Sequence, residues 1–157
     1  MKKKIIAAGA AASSLMLIGT AVASATPASG DALPTNSTAT ISTLAGPSKA
    51  EKDGIELKVD SDTNVRRFIA TYPPKSHSGW HAHPGIVMAI VRKGTVTRQL
   101  SDCSPPQKFT EGQVFTEVIG HKVSNETNEV AELEITHMYP SKVDLSKLRD
   151  DLAAPKC

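Results

Sequence analysis

From residue 54 onward the chain alternates apolar and polar residues in short runs. Ile55, Leu57 and Val59 alternate with Glu56, Lys58 and Asp60, the period-2 signature of a half-buried strand. Residues 65–72 predict a second strand, ended by Pro73-Pro74. Residues 86–92 are nearly all apolar, which predicts a strand buried on both faces or enclosed in a tight barrel. Lys93-Gly94 reads as a turn and residues 95–100 as a hairpin partner. Residues 113–118, 122–124 and 130–139 complete the set, with Pro140 stopping the last strand. Strands this short at this spacing predict an all-β sandwich or barrel over residues 51–140. In the tail, residues 141–157, the apolar positions Val143, Leu145, Leu148 and Leu152 fit a short helix and an extended segment equally well.

The N-terminal texture differs. Three lysines after Met1, an apolar run over residues 5–22 and the small residues Ala23-Ser24-Ala25 predict a secretory signal peptide over residues 1–25. The competing reading is an uncleaved anchor, since the run is nearly long enough to span a bilayer. Cleavage implies a secreted, periplasmic or cell-envelope protein with no stable membrane anchoring. Residues 26–50 are rich in Ala, Ser, Thr, Pro and Gly and read as a flexible linker.

Charge narrows the partners. The chain carries 18 basic and 16 acidic residues. Removing residues 1–25 removes three lysines and no acid, leaving 15 against 16 and a net charge of −1. No Lys/Arg stripe remains, so no nucleic acid partner is expected. A small-molecule ligand is, and a homodimer is left open. Two cysteines, Cys103 and Cys157, in an exported chain predict a disulfide tethering the tail, worth about 4 kcal/mol in the chain-entropy model. Two free thiols, or Cys103 as a metal ligand, are the alternatives.

The richest chemistry lies in Gly79-Trp80-His81-Ala82-His83-Pro84-Gly85, with His121 placed four residues before Asn125. Side chains at i and i+2 share a face only on a strand; on a helix they diverge by about 200°. The parity of His81 and His83 continues through Gly85, Val87, Ala89 and Val91, small or apolar residues suited to a barrel interior. Both imidazoles should therefore look inward, where His121 from a neighbouring strand can complete a metal site. Nitrogen ligation suits a divalent transition metal (Fe, Zn, Cu or Ni) better than Mg or Ca. His137 shares parity with Ala131, Leu133 and Ile135 and should also point inward, as a pocket wall or a hydrogen-bonded core histidine. Arg98 shares parity with Val96 and Leu100; it either meets a carboxylate at the pocket mouth or snorkels to solvent. His77 reads either as a surface-loop histidine or as one lining the mouth of the barrel. No Gly-x-Ser-x-Gly, phosphate loop or Cys-x-x-Cys is present, and Ser-His-Asp hydrolysis has no local support.

These residues resemble the cupin family. Its first motif has the form Gly-x5-His-x-His-x3,4-Glu-x6-Gly; His81, His83 and Gly94 match it, Val87 stands at the glutamate position and Lys75 at the leading glycine. Of the second motif, Gly-x5-Pro-x-Gly-x2-His-x3-Asn, the ends Gly112, His121 and Asn125 match, while the middle is two residues short and lacks the proline. The resemblance covers about residues 54–140. It implies a double-stranded β-helix, or jelly-roll, barrel with a metal on His81, His83 and His121. With Val87 in place of the glutamate, the ion would keep its full charge and an open position, favouring an anionic ligand. Glu117, four residues before His121, either restores the carboxylate from another strand or is a solvated strand-end acid. Two functions are consistent with this: a metal-dependent oxidoreductase or isomerase acting on a small anionic substrate, and a non-catalytic extracellular module binding a metal ion or small ligand.

Overall fold

A computed structural model describes residues 24–30 and 40–157. The predicted signal peptide lies outside the described residues except for Ser24 and Ala25. The strands are β1 (Thr40–Leu44), β2 (Ser48–Lys52), β3 (Ile55–Val59), β4 (Thr63–Tyr72), β5 (His81–Ala82) and β6 (Ile86–Lys93). They continue with β7 (Thr95–Leu100), β8 (Gln107–Thr110), β9 (Val114–Glu117), β10 (His121–Ser124), β11 (Ala131–Pro140) and β12 (Asp150–Asp151). Two antiparallel five-stranded sheets have the orders β1-β4-β11-β6-β9 and β12-β5-β10-β7-β8. From β4 to β12 the chain changes sheet at every step except the β7–β8 hairpin. That winding is the double-stranded β-helix expected from the sequence. Among the described residues no helix is long and apolar enough to cross a membrane.

The core lies between the sheets. Val87, Ala89 and Val91 of β6, Val96 of β7, Phe115 of β9, Val123 of β10 and Leu133 of β11 form one buried cluster. β11 shows the period-2 pattern fully: Ala131, Leu133, Ile135, His137 and Tyr139 are buried and their neighbours are not. Each large apolar side chain so buried contributes roughly 1.5–3 kcal/mol. Of the two readings of residues 86–92, β6 takes the barrel one and not the strand covered on both faces. Its inward residues are fully buried, but Ile86 and Met88 are exposed on the outer face. An apolar run cannot by itself distinguish one covered face from two.

The expected linker is partly ordered structure. β1 pairs along its full length with β4, from Thr40 opposite Arg67 to Leu44 opposite Thr63, and β2 forms a separate hairpin with β3. Both strands are mostly exposed, so their polar composition mimics a linker while backbone pairing fixes them. Thr26 and Ser29 also dock, through hydrogen bonds to Leu152 and His77. In the tail, the helical reading holds only for a 3-10 turn at Leu145–Lys147, capped by the Asp144 side chain, before β12 begins. Cys103 and Cys157 are disulfide-bonded, which removes Cys103 as a free thiol or metal ligand.

Candidate metal centre

Two sheets meet at the histidines. His81 on β5 and His121 on β10 are directly paired across one ladder. His83 follows β5, just before the chain leaves that sheet for β6 in the other. The crossing depends on Gly85, whose φ is +82° and where a Cβ would lie 2.0 Å from the Met138 carbonyl oxygen. The three imidazoles converge, with ligand atoms all within 4.8 Å of one another. Ring centroids are 4.3 Å apart for His81–His121, 4.7 Å for His81–His83 and 5.4 Å for His83–His121.

Each ring is oriented by a backbone carbonyl. Nδ1 of His81 lies 3.0 Å from the Gly79 oxygen, Nδ1 of His83 lies 2.7 Å from the Leu148 oxygen, and Nδ1 of His121 lies 2.8 Å from the Ile119 oxygen. A carbonyl only accepts, so each Nδ1 carries the proton and each neutral ring presents its Nε2 lone pair. Burial, reinforced by His121, Arg149 and His83, holds the His81 pKa down to about 2. Burial likewise lowers that of His83, against the opposing Leu148 hydrogen bond.

Glu117 lies beside the cluster. It is buried, with Oε2 3.3 Å from His121 Nε2 and 3.7 Å from His83 Nε2. It is therefore not a solvated strand-end acid. Burial pushes its carboxyl up; protonated His121 and His83 would outweigh this and pull it below the usual range, whereas neutral rings exert no such pull. Its backbone pairs with Val87, which pairs on its other side with His137. The row His137–Val87–Glu117 thus crosses one sheet while His81–His121 crosses the other.

A cavity of about 200 Å³ opens beside the cluster, small against the ~300–1,000 Å³ of pockets for drug-sized ligands. His81, His83, Val87, Glu117 and His137 line it, together with Arg66 and Arg149 near the tail. His137 points inward as its parity predicts, with Nε2 donating to the Pro84 carbonyl at 2.7 Å. Burial lowers its pKa despite that bond. Arg98 does not line the cavity. It stacks over Phe109 and Phe115 and hydrogen-bonds Gln107 and the Thr116 carbonyl. His77 accepts at Nδ1 from the Gly79 N–H and bridges Ser29 to Ser124. Asn125 serves the fold: its amide donates to the carbonyls of Tyr72, Pro73 and Glu129. The sequence reading missed Tyr72, Ser78, Arg66 and the tail residues Leu145, Ser146, Leu148 and Arg149 as cavity wall. Tyr72 was accessible by parity on β4; the tail residues carried no signal, because their place depends on a distant bond.

The donor set fits a metal ion. Three Nε2 lone pairs and a carboxylate oxygen face one another, and the fully buried Nε2 of His121 makes no hydrogen bond. A cation is what four converging acceptors lack.

No protein-family profile and no curated protein matches the chain. Solved structures of similar shape include a cupin 2 conserved barrel domain protein from Salinispora arenicola, 19% identical over 54% of this chain, with a TM-score of 0.43. A cupin-like protein from Thermotoga maritima is 18% identical over 59%, with a TM-score of 0.45. A conserved protein with a double-stranded β-helix domain from Klebsiella pneumoniae is 12% identical over 57%, covers 70% of that chain and has a TM-score of 0.46. The chain spans 66% and 65% of the first two. The fold assignment stands on the strand order itself.

Proposed function

We propose that this chain is a secreted or envelope protein that holds one divalent transition metal on His81, His83, His121 and Glu117, beside a cavity for a small anionic molecule. The observation that carries the reading is the convergence of four acceptors, with each Nδ1 already committed to a carbonyl. Glu117 changes two expectations drawn from nitrogen-only ligation. It neutralises one charge of the ion, and its hard oxygen brings Mn into the range with Fe, Zn, Cu and Ni. The preference for an anion then rests on the positive charge that Arg66 and Arg149 bring to the cavity wall, Arg149 sharing its charge with Asp151.

A metal held here would supply Lewis-acid polarisation or, for a redox-active ion, electron transfer. The chain's own residues bind and orient. The two arginines attract a carboxylate or similar group, while Val87, Ile135 and Phe68 give the cavity an apolar side that limits water. The leading reading is a metal-dependent oxidoreductase or isomerase for a small anionic substrate. One observation favours a non-catalytic binding module instead: the titratable groups nearest the cavity are engaged, Glu117 by the histidines and His137 through Pro84.

Elemental analysis of protein purified from its native compartment tests the metal centre. About one equivalent of a first-row transition metal is expected, and lost on treatment with a chelator. Absence of metal, together with no uptake of Co²⁺ by the purified chain, would sink it. A shift of the Co²⁺ absorption bands on adding a small carboxylate such as acetate is the expected sign of the anion site.

A further inference from the structure

The three histidines are not oriented in the same way. His81 and His121 each donate to the carbonyl two residues upstream, at Gly79 and Ile119. Those contacts are local and form with the strand. His83 donates to Leu148, 65 residues downstream and outside the barrel. His83 also lies just past the two-residue strand β5, so pairing does not fix it directly.

Leu148 is held by a strap. Its side chain is buried. On one side the Asp144-capped turn precedes it; on the other, Arg149 donates to the Ser78 carbonyl at 2.6 Å and to Asp151 at 2.7 Å. Asp150 and Asp151 then pair with Ala82 and His81 of β5, and the Leu152 N–H donates to Trp80 at 2.8 Å. The end of the strap is fixed covalently by Cys157 to Cys103 in the loop after β7. Leu145, Ser146, Leu148 and Arg149 meanwhile form one wall of the cavity.

We propose that residues 144–157 are a positioning strap of the metal centre: the Leu148 carbonyl sets the ring of His83, and the Cys103–Cys157 bond keeps that carbonyl in place. The assignment rests on the metal-centre reading above, which it deepens by making one ligand depend on a segment outside the barrel. An outer partner of a metal-bound histidine fixes its tautomer and basicity, and its loss costs roughly 10–100-fold in affinity. Here that partner is held across the chain by a disulfide, so a change far from the metal is felt at one of the three histidine ligands.

The test compares the full chain with the Cys103→Ser/Cys157→Ser variant, which avoids thiol reductants that themselves bind metals. Ring ¹⁵N spectra of both metal-free proteins at pH 8 read the tautomer of each histidine. In the parent, His83 should show the Nδ1–H form. In the variant, His83 alone should average between tautomers, while His81 and His121, with local acceptors, keep theirs. Co²⁺ titration should show affinity weakened about 10–100-fold. An unchanged His83 tautomer and unchanged affinity in the folded variant overturns the proposal. A parent that binds no Co²⁺ but shows the tautomer change would refute the metal centre and leave the strap standing. Should the double variant not fold, Arg149→Ala tests the strap by the tautomer alone: it releases the strap from Ser78, so His83 should average between tautomers, and an unchanged His83 tautomer overturns the strap.

Discussion

Glu117 sits directly across the β6–β9 ladder from Val87. The cupin motif puts a glutamate where this chain has Val87, and the structure sets a buried carboxylate on the next strand at the paired position, 3.3 Å from His121 Nε2. Paired positions on one face of a sheet bring Cβ atoms about 4.5–5.5 Å apart, a gap a glutamate side chain can span. The carboxylate here reaches His121 and His83 from β9, one strand over from Val87.

Glu117→Gln should therefore weaken metal binding by about 10-fold or more, since the amide keeps the size and loses the charge. Val87→Glu alone sets two carboxylates across one ladder pair, where like charges repel, so no clean gain is expected. The exchange Val87→Glu/Glu117→Val should recover much of the lost affinity. Competition titration against a chelator of known strength measures all three. A double variant no better than Glu117→Val would show that position 87 cannot reach the ion.

His81→Ala and His121→Ala should each abolish metal retention. The loss should exceed the roughly 10–100-fold that removal of an outer partner costs. Neither residue belongs to the apolar cluster, so the barrel should stay folded. Circular dichroism checks the fold and Co²⁺ titration the site. Parent-like binding by either folded variant refutes the three-histidine assignment.

What the sequence made legible was set by local geometry. His81, His83 and His137 were readable as inward because parity on a strand is fixed by the two residues on either side. The alternation of β11 was readable for the same reason. Glu117 was ambiguous because its role depends on β9 lying beside β6, a pairing between positions 24 to 30 residues apart. The strap was invisible because nothing near Leu148 marks its carbonyl as a partner for His83. β1 was hidden differently: Thr40–Leu44 has β-branched residues, but its exposed side chains read as linker and only pairing with β4 makes it a strand.

Metal-free protein should lose stability as pH falls below about 6.5. His81 has its pKa lowered from 6.5 to about 2 in the fold, chiefly by burial. The folded value lies below the unfolded one, so its contribution is complete above 6.5 and is lost as pH falls toward 2. One such group sets a slope of about 1.4 kcal/mol per pH unit within that window. His83 and His137, also lowered, steepen its upper part. Urea midpoints measured from pH 8 to pH 5 should decline, and His81→Leu should flatten the decline. A level midpoint across that range would contradict neutral, buried imidazoles.

Asn125 should matter for stability and not for metal. Its Nδ2 donates to the carbonyls of Tyr72 at 2.9 Å, Pro73 at 3.1 Å and Glu129 at 2.6 Å, while Oδ1 accepts from the backbone and hydroxyl of Thr127 at 3.0 and 2.7 Å. One buried side chain thus ties the end of β4 to the turn between β10 and β11. Asn125→Ala removes these bonds, but Pro73 keeps the Ser76 hydroxyl and Glu129 keeps the Thr127 hydroxyl as donors, so a loss of about 1–3 kcal/mol is expected. Asn125→Asp should be no better, because it exchanges the donating amide for a carboxylate facing three carbonyl oxygens. Neither variant touches the three histidines or Glu117, so Co²⁺ affinity of the folded fraction should stay within a few-fold of the parent. Chemical denaturation and Co²⁺ titration on the same samples separate the two effects. Weakened metal binding at unchanged stability would place Asn125 in the site, against the hydrogen bonds that put it in the frame around it.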